Sequence, residues 1–235
     1  MPLQHIDNRR LYRHIADQLM QMIGSGEYPP GTRLPAERDL AAQLGVSRPS
    51  VREALIALEV EGMVEVRGGA GVYVLQTRRN ASLDPLAPVP GPFDLIRARW
   101  IVESECANLA ASHATPEQLA GMKRALDDMR GAPSHNDISL EADQRFHLTI
   151  AEASANSALV MVTRQLWDAR RGPLYMQLES HFSGKEIWRQ AVDEHAEILN
   201  AIVSRDGTAA RNAMRRHMKN AELRFASNWH SGDSP

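Results

Sequence analysis

The chain has 235 residues and a net charge of −2, with 27 basic and 29 acidic side chains, and 43% of its residues are hydrophobic. This length and apolar fraction suffice for two domains with separate cores, and the single cysteine excludes an intramolecular disulfide. No stretch is long and apolar enough to cross a membrane, and the amino terminus lacks the apolar core of a secretory signal, so we expect a cytoplasmic protein without a membrane partner.

The first predicted element is a helix near the amino terminus. Apolar residues recur at helical spacing from Leu11 to Ile23, and the turn-rich stretch 24–31 ends the pattern. We expect the apolar stripe of this helix to pack against the elements that follow it.

Residues 34–45 predict the first helix of a helix-turn-helix. Pro35 suits the first turn of a helix, and Leu40 and Leu44 belong to one apolar face. Gly45 suits the left-handed conformation in which many helices end. The sequence therefore predicts a short helix that stops at a tight turn.

A second helix is predicted directly after that turn. Ser47 can cap its N-terminus, and apolar residues recur at helical spacing over 51–58. This phase leaves Arg48 and Arg52 one turn apart on another face, which we expect to be exposed. Guanidinium groups on such a face suit guanine edges and DNA phosphates.

Two short β-branched strands around a glycine-rich turn are predicted within residues 62–75. Gly68 and Gly69 would let the backbone approach a phosphate closely, and Arg67 stands at the edge of the turn. Together with the helices before it, this hairpin predicts a winged helix-turn-helix DNA-binding domain, to which we assign residues 8–76.

The motifs of this region resemble the DNA-binding domain of the GntR family of bacterial transcription regulators. The matching segments are the proline-glycine turn Pro29-Pro30-Gly31, then Leu34-Pro35-x-Glu37-Arg38-x-Leu40-Ala41, Val46-Ser47-Arg48-x-x-Val51-Arg52-Glu53-Ala54-Leu55, and Leu58-Glu59-x-x-Gly62-Met63. The resemblance implies that the partner is double-stranded operator DNA.

The resemblance also implies that arginines of the two helices contact the operator, with the wing glycines beside it. The alternative is that these arginines make surface ion pairs with Glu37, Asp39 or Glu53. The predicted DNA-binding set is Arg38, Ser47, Arg48, Arg52, Arg67, Gly68 and Gly69.

The charge of the first 79 residues is more balanced than DNA binding would suggest. They contain ten arginines, no lysine and nine acidic residues, a net charge of +1, whereas the remaining 156 residues carry a net charge of −3. The positive field must therefore be focal, and non-specific affinity for DNA should be modest and sensitive to salt. A dimer would present two such positively charged surfaces to the DNA.

Residues 77–92 are assigned as a linker because prolines at 85, 88, 90 and 92 exclude a regular helix there. Residues 93–230 show helical periodicity without strand alternation, which predicts an all-helical second domain and a mainly α protein. We expect its helices at about 93–112, from 115 onward, 137–152, 157–171, 184–204 and 206–227.

Four side chains of the second domain have the types and phase of a metal site. Asp143 and His147 are four residues apart and share a helix face, and His195 and His217 each belong to an apolar stripe that faces a core. Burying them unpaired would be costly, whereas a divalent transition metal would satisfy all four. Taken alone, a histidine such as His195 could instead be a core residue hydrogen-bonded to a backbone carbonyl.

This half resembles the FCD effector domain of the FadR-type branch of the same family. The matching segments are Asp143-x-x-Phe146-His147-x-x-Ile150-Ala151, Glu194-His195-x-x-Ile198-Leu199-x-Ala201-Ile202 and Arg216-His217-Met218. The resemblance implies an all-helical bundle in which Asp143, His147, His195 and His217 hold a divalent metal ion, with zinc as the first choice and nickel and manganese as alternatives.

The resemblance further implies that Arg99, in the motif Arg99-x-x-x-Glu103, faces an effector pocket. An intrahelical ion pair with Glu103 fits the same spacing. A metal with open positions beside a guanidinium suits a carboxylate with a neighbouring hydroxyl or oxo group, so the expected effector is a small organic acid.

Within the FCD branch, the chain is most similar to repressors of hexuronate utilisation. The similarity lies in residues 91–99, 146–157 and 164–170. Polar side chains that could line a sugar-acid pocket, or simply lie at the surface, are Arg170, Tyr175 and Gln177.

The resulting hypothesis is a homodimeric repressor, not an enzyme, that binds a palindromic operator and is controlled by a small carboxylate bound beside the metal. Two alternatives stay open on the sequence alone. The second domain could be a metal-dependent hydrolase or oxygenase fused to a DNA tether, or a dimerisation bundle that senses nothing and whose histidines are core residues.

Overall fold

The computed structural model describes residues 11–76, 90–132, 137–182 and 184–227. Within them the chain forms ten helices and one two-stranded sheet, which confirms the predicted mainly α fold. Most of the expected linker, 77–89, lies outside the described residues, as do 228–230 at the end of the expected second domain. In chain order the elements are α1 (Leu11–Gly24), α2 (Glu37–Leu44), α3 (Arg48–Val60), β1 (Val64–Arg67), β2 (Gly71–Val74), α4 (Pro92–His113), α5 (Pro116–Gly131), α6 (Asp137–Ala153), α7 (Ser157–Arg170), α8 (Pro173–His181), α9 (Lys185–Val203) and α10 (Gly207–Ala226).

The described residues divide into two compact units. The first comprises the residues before Phe93 together with 172–181 and the last residues after 225, and the second comprises 93–171 and 182–225. Each unit has its own cluster of buried apolar residues. No helix of the described part of the chain combines the length and apolarity that a membrane crossing requires.

The first unit is built around the helix-turn-helix of α2 and α3. Gly45 ends α2 in the left-handed conformation, with φ of 66°, and its amide donates to the Ala41 carbonyl. Ser47 caps α3 by accepting a hydrogen bond from the Ser50 amide, as predicted. The N-terminus of α2 differs from the prediction, because Ala36 is its N-cap residue and Pro35 lies before it.

The wing is an antiparallel hairpin of β1 and β2. Val64 pairs with Val74 and Arg67 pairs with Gly71, so the turn between them contains Gly68 and Gly69. Val64, Val72 and Val74 are buried in the same core as α1, α2 and α3. The buried valines therefore join the hairpin to the core of the helices.

Helix α8 packs in the first unit although it follows α7 in the chain. Leu174 contacts the core of the winged domain, and Gln177 and His181 both contact Glu59 of α3. The periodicity of the sequence does not predict this helix, and residues 173–181 were expected in the second domain. The structure groups them with the first unit.

The second unit is a helical bundle, as predicted. Helix α5 begins with a reciprocal capping box in which Thr115 accepts from the Gln118 amide and the Gln118 side chain accepts from the Thr115 amide. The core is formed by small and apolar side chains of α4, α5, α6, α9 and α10, among them Ala107, Met122, Phe146, Ile198 and Met214.

Candidate nucleic-acid interface and metal centre

The arginines predicted to contact DNA are ion-paired in this structure. Arg38 lies 3.1 Å from Asp39 with 83% of its side chain exposed. Arg48 lies 2.9 Å from Oε1 of Glu37. These pairs agree with the alternative drawn from the sequence, in which the arginines form ion pairs with Glu37 or Asp39. In the wing, the pair is Arg67 with Glu65, at 2.8 Å.

Arg52 differs from the expectation that it shares an exposed face with Arg48. Its side chain is 1% exposed, and its Nη2 lies 2.6 Å from Oε2 of Glu37. Burial lowers the pKa of Arg52, and the Glu37 carboxylate opposes that effect. Since Glu37 contacts Arg48 through its other oxygen, one buried carboxylate joins the two guanidinium groups.

A hollow of about 210 Å³ lies between the start of α2, the start of α3 and the wing. Its lining includes Arg38 and Arg48 from the predicted set and Gly69 from the wing turn. Arg33 also lines it, although the sequence analysis did not select this residue. Arg33 lies before the helix-turn-helix motif, and only the pairing of its backbone with the wing brings it to this surface.

Three histidines from three helices meet in the core of the second unit. His147 lies on α6, His195 on α9 and His217 on α10, and each offers a ring nitrogen within 4.8 Å of the other two. The Nε2 atoms of His147 and His195 are 3.0 Å apart. Oδ1 of Asp143 lies 3.0 Å from Nε2 of His195 and 3.3 Å from Nε2 of His147. The structure thus brings the four predicted ligands together.

Each of the three histidine rings has an oxygen atom close to its Nδ1 nitrogen. Nδ1 of His147 lies 2.5 Å from Glu103, Nδ1 of His195 lies 2.6 Å from the Ala191 carbonyl, and Nδ1 of His217 lies 2.7 Å from Glu194. Where Nδ1 of a neutral ring donates to its neighbour, as the contacts of His195 and His217 allow, Nε2 carries a lone pair. Lone pairs converging with a carboxylate oxygen require a proton or a cation between them, and the same arrangement orients histidine ligands in metal sites.

The protonation states of His217 and Asp143 favour metal binding, whereas at His147 burial lowers the pKa but the Glu103 and Asp143 carboxylates outweigh burial and raise it. Burial lowers the pKa of His217 to about 3, with the neighbouring histidines adding to the effect, so this ring is neutral near pH 7. Burial opposes ionisation of Asp143, but hydrogen bonds from His147 and His195 and the charge of Arg170 outweigh it and hold the pKa well below its usual range. Neutral imidazole and ionised carboxylate are the forms that bind a metal.

Arg99 makes the intrahelical ion pair that its spacing from Glu103 allows. Its Nε donates to Glu103 at 2.7 Å, and Glu103 in turn contacts His147. Burial alone would raise the pKa of Glu103, but Arg99 and His147 lower it to about 2. The guanidinium lies 4.1 Å from the Trp167 ring centroid. The intrahelical pair therefore exists, and it lies at the edge of the histidine cluster.

Two buried donors at this edge lack a hydrogen-bond acceptor among the described residues. They are Nη2 of Arg99 and Nε1 of Trp167, whose side chains are 4% and 3% exposed. Arg170 lies on the same indole, 4.6 Å from its centroid, and donates to Oδ2 of Asp143 at 2.9 Å. Unpaired buried donors next to a metal-ligand set are suited to an oxygen-rich anion.

The other two polar residues considered for the pocket lie in the first unit. Gln177 donates to Glu59, and Tyr175 is buried on the same helix. The sequence analysis also missed Glu194 as a support for His217. The two lie on different helices, so the periodicity of either helix alone gives no signal for their contact.

Two family models cover most of the chain. Residues 11–74 match the model described as bacterial regulatory proteins, gntR family, and residues 94–220 match the FCD domain model.

Curated relatives resemble the chain over nearly its whole length. The Uxu operon transcriptional regulator of Escherichia coli strain K12 is 41% identical over 224 residues, which cover 92% of this chain and 87% of that protein. The Exu regulon transcriptional regulator of the same strain is 37% identical over 222 residues, covering 92% and 84%. Among solved structures, Escherichia coli McbR/YncC has a TM-score of 0.50 at 24% identity over 92% of this chain and 97% of that one, a likeness of fold.

Proposed function

Because the chain belongs to the GntR family of bacterial transcription regulators and carries an FCD domain in its second half, we propose that it is a homodimeric repressor that binds a palindromic operator and responds to a hexuronate or related sugar acid. The families and relatives are regulators and not enzymes. The likeness to regulators named for the Uxu operon and the Exu regulon supports a sugar acid as the effector.

The histidine cluster supports a resident divalent metal, with zinc as the first choice and nickel and manganese as alternatives. Asp143, His147, His195 and His217 would hold it, which agrees with the metal binding known for FCD domains. When bound, the ion supplies a Lewis-acidic centre for oxygen donors. The observation that carries this proposal is that His147, His195 and His217 bring ring nitrogens within 4.8 Å of one another, with Oδ1 of Asp143 3.0 Å from Nε2 of His195.

Arg99 is proposed to bind the carboxylate of the effector. It retains a buried donor beyond its pair with Glu103, and Trp167 offers a second donor nearby. Hydroxyl-bearing acids add further oxygen atoms, which suit the metal. Arg170 holds Asp143, so it keeps a metal ligand ionised and oriented without itself being a ligand.

At the operator, Arg38 and Arg48 are proposed as side-chain contacts, with Arg67 and Ser47 beside them and the wing backbone at Gly68 and Gly69 close to the phosphates. Ion pairs with neighbouring carboxylates do not prevent such contacts, because DNA phosphates compete for the same exposed guanidinium groups. Arg52 stays in the proposed DNA-binding set in an indirect role. Its buried guanidinium pairs with Glu37, and the same carboxylate pairs with Arg48.

Elemental analysis and thermal shift test the sensor. We expect near-stoichiometric metal in the purified protein, loss of metal in His147→Ala, and metal-dependent stabilisation by one member of a hexuronate panel. In Arg99→Ala the metal should remain and the stabilisation should disappear, whereas the exposed Arg97→Ala should behave like the wild type. Absence of metal and of any shift would reduce the second unit to a dimerisation bundle.

Gel-shift titrations test the regulatory response. The wild-type protein should bind a duplex selected from a random pool as a dimer, and the stabilising acid should change its affinity for that duplex. The effector can do so only to the extent that it binds the two arrangements of the protein unequally, typically by about 1–3 kcal/mol. No change with any uronate would contradict the sugar-acid assignment.

A further inference from the structure

We infer that Arg33, outside the predicted DNA-binding set, is a phosphate-contacting residue of the operator interface. The inference rests on the proposed DNA binding and extends it to a residue that no recognition motif includes. It follows from three features of Arg33: its fixed backbone, its place beside Gly71, and its uncompensated charge.

The backbone around Arg33 is fixed to the wing. Thr32 and Leu34 exchange backbone hydrogen bonds with β2, since the Val74 amide donates to Thr32 at 2.9 Å and the Leu34 amide donates to Val72 at 2.9 Å. Arg33 itself forms a bridge with Tyr73. Leu34 is buried beneath this segment. The side chain of Arg33 therefore projects from a rigid support and not from a free loop.

The Arg33 guanidinium lies against the wing at a position that only glycine permits. A Cβ atom added to Gly71 would overlap Nε of Arg33, and Gly71 has φ of 109°, which side-chain-bearing residues rarely adopt. Arg33 lines the same hollow as Arg38, Arg48 and Gly69. Its charge is thus presented between the recognition helix and the wing turn.

Arg33 is exposed and has no carboxylate partner among the residues that the structure describes. The other arginines of this surface differ, because Arg38, Arg48 and Arg67 each face an acidic side chain. When a phosphate binds, each of those arginines must either divide its charge between the phosphate and its carboxylate partner or release that partner. Arg33 gives its full charge to the phosphate without that exchange, so it should contribute about one released counterion to operator binding.

Salt titration of operator affinity tests the inference. The probe is a duplex selected by the wild-type protein from a random pool, and the variants are Arg33→Ala, Arg33→Lys and Arg13→Ala. Arg33→Ala should weaken binding several-fold across sequences and reduce the slope of log K against log salt by about 1. Arg33→Lys should restore the slope. Arg13→Ala, which removes an equal charge from α1 where Arg13 pairs with Asp17, should leave the slope unchanged.

A double-mutant cycle with Gly71→Ala separates the contact from backbone strain. The strain at position 71 is present whether or not Arg33 is, whereas displacement of the guanidinium matters only when Arg33 is there. The double variant should therefore bind more tightly than two independent losses predict. An unchanged slope in Arg33→Ala, with wild-type binding intact, would overturn the inference alone. Failure of the wild-type protein to select any duplex would overturn the proposed function as well.

Discussion

Glu194 shows how a residue outside the proposed ligand set can support the proposed metal centre. Its carboxylate accepts from His217 at 2.7 Å, from Asn220 at 2.8 Å and from Arg224 at 3.1 Å. Burial raises its pKa, but these partners outweigh burial and bring the pKa to about 2. Glu194 therefore stays ionised and fixes the orientation of the His217 ring.

Glu194→Ala should weaken metal binding about 10- to 100-fold, because His217 loses the acceptor that sets its tautomer and direction. Competition with a chromophoric chelator measures this affinity. Glu197→Ala provides the matched control, since Glu197 lies on the same helix and pairs with Arg216 at the surface. Equal metal affinities in the two variants would show that Glu194 has no supporting role.

Arg48 and Arg52 should respond differently to removal, although both contact Glu37. Arg48→Ala should reduce operator affinity by about 1–3 kcal/mol and leave the unfolding free energy nearly unchanged, because the side chain is 45% exposed. Arg52→Ala removes the buried partner of a buried carboxylate, so we expect a loss of about 3 kcal/mol in unfolding free energy in addition to weaker operator binding. Denaturant melts and gel shifts on both variants measure the two effects. Full stability of Arg52→Ala would contradict the structural role.

At the scale of single elements, local signals predicted the helix ends well. Gly45, Ser47 and Thr115 act through residues within four positions of themselves, so a short window of sequence contains the whole interaction. Helical phase likewise placed the three histidines on inward faces, because the apolar spacing along a helix marks the face that packs on the core.

Contacts between distant segments could not be predicted in this way. The burial of Arg52 depends on Glu37 from another helix, and the position of Arg33 depends on a hairpin 40 residues further along the chain. Helix α8 was missed for a related reason: its short apolar pattern fits several surroundings, and its contact with Glu59 joins residues more than a hundred positions apart.

Helix α8 offers a testable route between the two functions. Arg170 contacts the proposed metal ligand Asp143, and three residues later the chain enters α8, whose Gln177 and His181 contact Glu59 of α3. Glu59 also accepts from the Val66 amide of the wing, so one carboxylate joins α8, α3 and β1. We expect a displacement of Arg170 to reach the winged domain through this continuity of the chain.

Combined substitution Gln177→Ala and His181→Ala should reduce the effector-dependent change in operator affinity while leaving the dissociation constant of the effector unchanged. The reason is that α8 loses its polar contacts with Glu59 but the metal centre is untouched. Gel shifts with and without the effector, together with calorimetry, measure the two quantities. Met176→Ala, on an exposed side of α8, serves as the control. An unaltered response in the double variant would exclude this route.

At the scale of the whole molecule, charge and architecture set the limits of each activity. The chain carries a net charge of −2, so its affinity for DNA must come from the local surface formed by the winged domain and not from a general attraction to polyanions. The two hydrophobic clusters share no residue, which allows one unit to lose its ligand while the other keeps its fold.

His195→Ala should therefore abolish metal binding and the effector response but retain operator affinity in the absence of effector. His195 is buried in the second unit, and its contacts there include Asp143, His147 and the Ala191 carbonyl. His113→Ala, which alters an exposed histidine of the same unit, should change neither activity. Circular dichroism would verify the fold of each variant before gel shifts are measured. If correctly folded His195→Ala no longer bound the operator, the metal would be required for the DNA-competent arrangement itself, and the response to the acid would have to act through metal occupancy.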